Sequence, residues 1–212
     1  MDNNLIVRLQ RLSIYTPDFI EECRAWFPQQ QTERIATLKG SRLMEAVAGY
    51  NLLVETLRET GLLKDPPLLE YAENGKPFLK NYSDLHFNIS HCRTHIALAL
   101  SHSPVGIDVE SLRRVSPSLI KRVCSDEEQH IISQSSDPDM EFLRLWTRKE
   151  AYLKYTGTGI VEPLTNIPPQ STAHCPLTTK HRSQVTGYII ETHPLPEDDG
   201  WVSVCWEAEI VT

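Results

Sequence analysis

Apolar positions along this chain change period several times, and each change marks an element. Leu5-Ile6-Val7-Arg8-Leu9 reads as a first strand. Residues 17–40 are polar and mixed, helical in parts. From Ser41 onward Leu43, Ala46, Val47, Tyr50, Leu53, Val54 and Leu57 recur at three- and four-residue spacing. That spacing predicts a core helix with Ser41 as its N-cap and Gly61 as its stop. Asn74-Gly75 marks a turn. After the turn-bearing segment Tyr71–Leu79 come three β-prone runs, Leu85–His91, Thr94–Leu100 and Pro104-Val105-Gly106-Ile107-Asp108-Val109-Glu110. We expect a small antiparallel meander ending in Asp108 and Glu110, with Ser90 and His91 at a strand end on its rim. The helical period returns at Ser116-Pro117, with an amphipathic run from Leu119 to Val123. Ser125-Asp126-Glu127-Glu128 is a capping box. The strongest helix of this half spans 139–155 and stops at Gly157 and Gly159. Residues 160–183, rich in Pro, Thr and His, predict irregular structure and short strands, and Gln184–Glu191 with Trp201–Ala208 predict a hairpin.

The order is helix then strands, twice. It predicts an α+β fold of two similar helix-plus-antiparallel-sheet halves, divided as 1–103 and 104–212; the family resemblance described below implies a site in the cleft between them. A chain of 212 residues can bury a core of that size. No apolar run reaches the length of a membrane span, and Met1-Asp2-Asn3-Asn4 opens no signal-peptide pattern. The five cysteines (Cys23, Cys92, Cys124, Cys175, Cys205) form no Cys-x-x-Cys pair, which argues against a disulfide framework or a zinc site and leads us to expect a cytoplasmic protein. A formal net charge of -7 disfavours sequence-independent nucleic-acid binding, so an anionic substrate needs a local basic pocket.

Within the 104–110 strand, alternation turns Asp108 and Glu110 to one face and Ile107 and Val109 to the other. A bare Asp-x-Glu most often faces water. Trp146, Glu150 and Lys154, four apart, share one face of the second long helix. If that helix packs beside the strand, Glu150 becomes a third carboxylate for a hard divalent cation, with Lys154 about one turn, or about 6 Å, away. Lys76, Ser90 and His91 add donors suited to phosphate oxygens. Singly each is an ordinary surface or strand-end residue; together with the acids they describe a site for a pyrophosphate-containing ligand bridged by magnesium. A zinc site from His91, His95 and His102 is disfavoured, because four-residue spacing on strands does not converge. Gly157-Thr158-Gly159 follows no strand and is not a nucleotide-binding fingerprint.

Gly106-Ile107-Asp108-Val109-Glu110, with Trp146-Thr147-Arg148-Lys149-Glu150-Ala151-Tyr152-Leu153-Lys154 some forty residues later, resembles the paired signature of 4'-phosphopantetheinyl transferases. Gly75-Lys76-Pro77 and Phe87-Asn88-Ile89-Ser90-His91 are similar to that family's upstream motifs. Length and order resemble its larger, single-chain, surfactin-synthetase-activating type. The match covers about residues 75–155; residues 1–40 and 160–212 agree only in general arrangement. The resemblance implies a monomeric pseudo-dimer that uses magnesium and coenzyme A and transfers the phosphopantetheine arm to a serine of an acyl- or peptidyl-carrier protein. It implies that Asp108, Glu110 and Glu150 hold magnesium, and that Lys76, Ser90 and His91 contact the nucleotide and its phosphates. Lys154 would stabilise or protonate the departing 3',5'-ADP, and Glu150 would take the serine proton, directly or through a water. Many larger members carry a basic cluster before the first long helix for the 3'-phosphate. Here that region offers only Arg34, Lys39 and Arg42. A separate basic island, Arg113, Arg114, Lys121 and Arg122, stands in an acidic chain; it is either a solvated face or a dock for an acidic carrier helix. Two other classes share the acids: a magnesium-dependent hydrolase of nucleotide pyrophosphates, and a non-catalytic coenzyme A-binding module, disfavoured by intact Glu150 and Lys154.

Overall fold

A computed structural model describes residues 5–159, 164–167, 187–197 and 199–208. The protein mixes helices with antiparallel sheet. In the first sheet, β1 (Ile6–Arg11) pairs with β5 (His95–Ser101), which pairs with β4 (His86–His91), all antiparallel. The central strand β5 is buried along its whole length, as its unbroken apolar run requires. Against this sheet pack α1 (Pro17–Ala25), α2 (Gln29–Ile35) and the long α3 (Gly40–Glu59), whose Val47, Leu53, Val54 and Leu57 join Ile96, Leu98 and Leu100 in one core. The N-cap of α3 is Lys39, with no side-chain capping bond, and not Ser41. Gly40, at φ 57, turns the chain into the helix one residue earlier than the hydroxyl at Ser41 suggests. Gly61 follows α3 at φ 71, as a stop.

A two-stranded hairpin, β2 (Leu69–Tyr71) and β3 (Pro77–Leu79), turns through Gly75 at φ 83. The next strand, β6 (Val105–Ser111), departs from the expected meander. It does not extend the first sheet but forms the edge of a second, in the order β6, then β8 (Gly200–Ala208), then β7 (Gly187–Pro194). On its free edge two side chains of β4 replace a backbone ladder. Asn88 Oδ1 accepts the Ile107 N–H at 2.9 Å and Ser90 Oγ accepts the Val109 N–H at 3.3 Å. Buried edge amides must be met, and short polar side chains on alternate positions of β4 meet them. Ile107 and Val109 then pack with Ala97 and Ala99 of β5 and Val202 and Val204 of β8.

The second sheet carries α4 (Pro117–Val123), α5 (Asp126–Gln134) and α6 (Pro138–Thr156). Ser116 caps α4, and the expected capping box of Ser125 and Glu128 is present. The closing hairpin β7–β8 forms where expected; residues 184–186 lie outside the described ones, as do most of 160–183 apart from a 3₁₀ turn at Leu164–Asn166. The four described cysteines are free thiols; Cys175 lies outside the described residues. No described helix is long and apolar enough to cross a membrane.

Candidate active site

One glycine brings the site together. A Cβ built on Gly106 would lie 2.1 Å from the Ala151 carbonyl oxygen and 2.3 Å from the Tyr155 nitrogen, so the backbone of α6 rests directly on β6. The helix lies antiparallel to the strand. Trp146 lies beside Glu110 near the C-terminal end of β6, and Lys154 meets Asp108 at the middle of the strand. Gly106, Asp108 and Glu110 alternate on the face turned to the helix.

Asp108 is 6% exposed. Its Oδ1 accepts from Lys154 Nζ at 2.6 Å and from Ser90 Oγ at 2.9 Å, while its buried Oδ2 has no hydrogen-bond partner. Burial pushes the Asp108 carboxyl above the ordinary carboxylate range, against the pull of Lys154 and Ser90. Glu110 is raised by burial and by Asp108, and is opposed by Arg113, 3.5 Å away, and by Trp146. Glu150 is raised by burial and then by Asp108, with Lys154 opposing and Glu110 adding. The three carboxyls therefore sit within electrostatic range and repel one another. They are not drawn into a finished ligand cage, since the described residues contain no group of three or more His, Cys, Asp or Glu at metal-binding spacing. Lys154 supplies the cation at Asp108. The unpartnered Oδ2 and the shared upward shifts nevertheless fit a hard divalent ion, which oxygen donors of this kind would hold.

Other sequence candidates separate. Ser90 is buried, contrary to the expected rim position; its hydroxyl lies between Asp108, Lys154 and the Val109 N–H. Lys76 Nζ donates to the Lys154 carbonyl at 2.5 Å and to the Val105 carbonyl at 3.4 Å, and burial lowers its pKa. A pocket of 280 Å³ lies between Asn74–Pro77 and Asn88 on one side and Glu150, Leu153, Lys154, Gly157 and Gly159 on the other. A neighbouring pocket of 440 Å³, sharing Gly75 and Pro77 with it, is lined by Arg34, Arg42, Glu45, Tyr71 and His91 among others. The Arg34 guanidinium stacks 4.0 Å over the Tyr71 ring, and His91 Nε2 lies 3.6 Å from Glu45. Lys39 is exposed at the start of α3 and does not line either pocket. All four members of the basic island, Arg113, Arg114, Lys121 and Arg122, are exposed, and Arg113 also pairs with Glu110.

Several residues escaped the sequence reading. Asn88 shares a face with Ser90, and their alternation with Phe87 and Ile89 was the available signal. Around Glu150 the helix is enclosed, so its neighbours hold it from three sides. Thr147 Oγ1 bonds Ser203 Oγ at 2.8 Å, Arg148 donates to Thr192 Oγ1 at 2.9 Å, and Lys149 is buried. Lys149 Nζ reaches Glu128 Oε2 at 2.6 Å and the Leu164 and Val123 carbonyls at 2.7 and 3.0 Å. No local sequence signal pairs Lys149 with a glutamate on the preceding helix.

A model of the 4'-phosphopantetheinyl transferase superfamily matches residues 104–205. Among similar proteins, the transferase Sfp of Bacillus subtilis is 30% identical over 155 residues, 72% of this chain and 65% of the relative. HetI of Nostoc is 34% identical over 66% of this chain and 57% of its own length. AcpT of Escherichia coli K12 is 33% identical over 68% of this chain and 71% of its own length. The match spans less than two thirds of Sfp and of other Bacillus relatives. Strand β6 and helix α6 both fall inside the family match. With a third of positions identical across most of AcpT, the chain belongs to the 4'-phosphopantetheinyl transferase superfamily.

Proposed function

We propose that this chain transfers the 4'-phosphopantetheine arm of coenzyme A to a serine of an acyl- or peptidyl-carrier protein, releasing 3',5'-ADP, with magnesium bound by Asp108, Glu110 and Glu150. One observation carries the reading: the glycine contact of α6 on β6 sets Lys154 on Asp108 and Glu150 within electrostatic range of it, with Glu150 and Lys154 in the wall of a pocket. On this reading the halves 1–103 and 104–212 form a pseudo-dimer acting as a monomer in the cytoplasm.

The nucleophile is a serine hydroxyl, which needs a base as it attacks phosphorus. Glu150 is that base: burial and the neighbouring acids raise its pKa, and a raised carboxylate accepts a proton more readily. Lys154 leans on Asp108 at rest and offers its ammonium to charge building on the leaving phosphate. Ser90 fixes the Asp108 carboxylate and the Lys154 ammonium relative to each other. Arg34, Arg42 and His91 in the adjoining pocket suit the nucleotide and its 3'-phosphate. Bound magnesium would neutralise pyrophosphate charge and polarise the phosphorus.

Mass spectrometry of apo-carrier incubated with the protein, coenzyme A and magnesium tests the reading. A gain of one phosphopantetheine arm is expected. Coenzyme A cleavage that needs no carrier would instead make the chain a nucleotide-pyrophosphate hydrolase.

A further inference from the structure

We propose that the Asn74-Gly75-Lys76 turn caps the C-terminus of α6 from the other half of the chain, and that Asn74 is a positioning residue for Lys154 and Glu150.

The last turn of a helix leaves carbonyls without intrahelical partners. In α6 the Leu153 carbonyl is met locally, by the Gly157 N–H at 2.9 Å and the Thr156 hydroxyl at 3.1 Å. The next exposed acceptors are met from the β2–β3 turn. Asn74 Nδ2 donates to the Gly157 carbonyl at 2.5 Å, and Lys76 Nζ donates to the Lys154 carbonyl at 2.5 Å. Gly157 is left-handed at φ 70, which terminates the helix where the turn meets it. Asn74 also shapes its own turn, since its Oδ1 accepts the Lys76 N–H at 3.0 Å. One amide thus sets the turn with its oxygen and holds the helix with its nitrogen.

The cap acts on the reacting face. Lys76 holds the backbone of the very residue whose side chain lies on Asp108, and through the Val105 carbonyl it also holds β6 beside Gly106. A positive group at a helix C-terminus is favourably placed for the helix dipole. The resemblance gave Lys76 to phosphate; here its ammonium is directed at two carbonyls. The pocket at Glu150 has this turn as one wall, so the cap sets both the pocket's width and the register of Lys154.

The role of the cap in turnover rests on the transferase reading, but the cap itself is tested without substrate. Asn74→Ala removes both bonds. Asn74→Asp keeps the acceptor that shapes the turn and loses the donor to Gly157. Hydrogen exchange on the full chain should show amides 153–159 exchanging about tenfold faster in both variants, with residues 141–148 unchanged. In the carrier assay both variants should lose roughly tenfold in kcat while KM for coenzyme A stays within about twofold. Wild-type exchange in Asn74→Asp would overturn the cap and leave only a turn-forming asparagine. Unchanged exchange with a raised KM would make Asn74 a substrate contact, and overturn it equally. Faster exchange in the variants of a chain that transfers nothing would leave the cap standing and remove the transferase reading.

Discussion

At the scale of single residues the site is defined by a carboxylate that is only half satisfied. Asp108 shares Oδ1 between an ammonium and a hydroxyl, and its buried Oδ2 has neither. A buried charge without a partner is costly, so Lys154, whose side chain is 28% exposed, is worth more here than at the surface. A double-mutant cycle of Asp108→Asn and Lys154→Met, followed by urea unfolding without metal, should give a coupling of about 1–3 kcal/mol. Additive losses would mean that the pair is incidental. The sequence showed the two acids and their common face, because strand alternation is a local rule. It did not show that Ser90 is buried against Asp108 and Lys154, since that depends on two strands, from different sheets, meeting at unpaired edges.

The decisive element-scale feature is α6 lying on β6 without an intervening side chain. Helix period and stop signals disclosed α6, and alternation disclosed β6. Their contact was readable only as a condition, that Glu150 becomes a third carboxylate if the helix packs there. Gly106 supplies the condition, yet a glycine in a strand has several explanations and only the folded backbone selects one. Gly106→Ala would set a methyl group against the Ala151 carbonyl and the Tyr155 nitrogen, both backbone atoms that cannot rotate away. We expect a loss of about 1–3 kcal/mol in unfolding free energy by denaturant titration, with transfer activity falling further than stability. A variant as stable and as active as wild type would show that the close approach has no role. The meander failed at this same scale: β6 follows β5 in sequence but pairs with β8, brought by the last stretch of the described chain. Sequence neighbours pair often, not always, and nothing local distinguishes the exception.

For the molecule as a whole, the acidic balance and the exposed Arg114, Lys121 and Arg122 matter together. A basic patch on a negative protein steers an acidic partner, and salt screens that steering. Reversing charge at Arg114 and Lys121 should raise KM for the carrier about tenfold at low salt, less at high salt, and leave KM for coenzyme A unchanged. An unchanged carrier KM would remove the island from the docking surface. Arg113 belongs to a different account, because it holds Glu110.

The proposed transfer reaction puts the most weight on Glu150. Apo-carrier should be incubated with coenzyme A, magnesium and either the wild-type chain or Glu150→Ala, and its intact mass followed with time. We predict that the wild type adds one phosphopantetheine arm per carrier with stoichiometric 3',5'-ADP, and that Glu150→Ala slows this by about 10²–10⁴-fold. Equal rates for the two proteins, or no mass gain with either, would contradict the assignment.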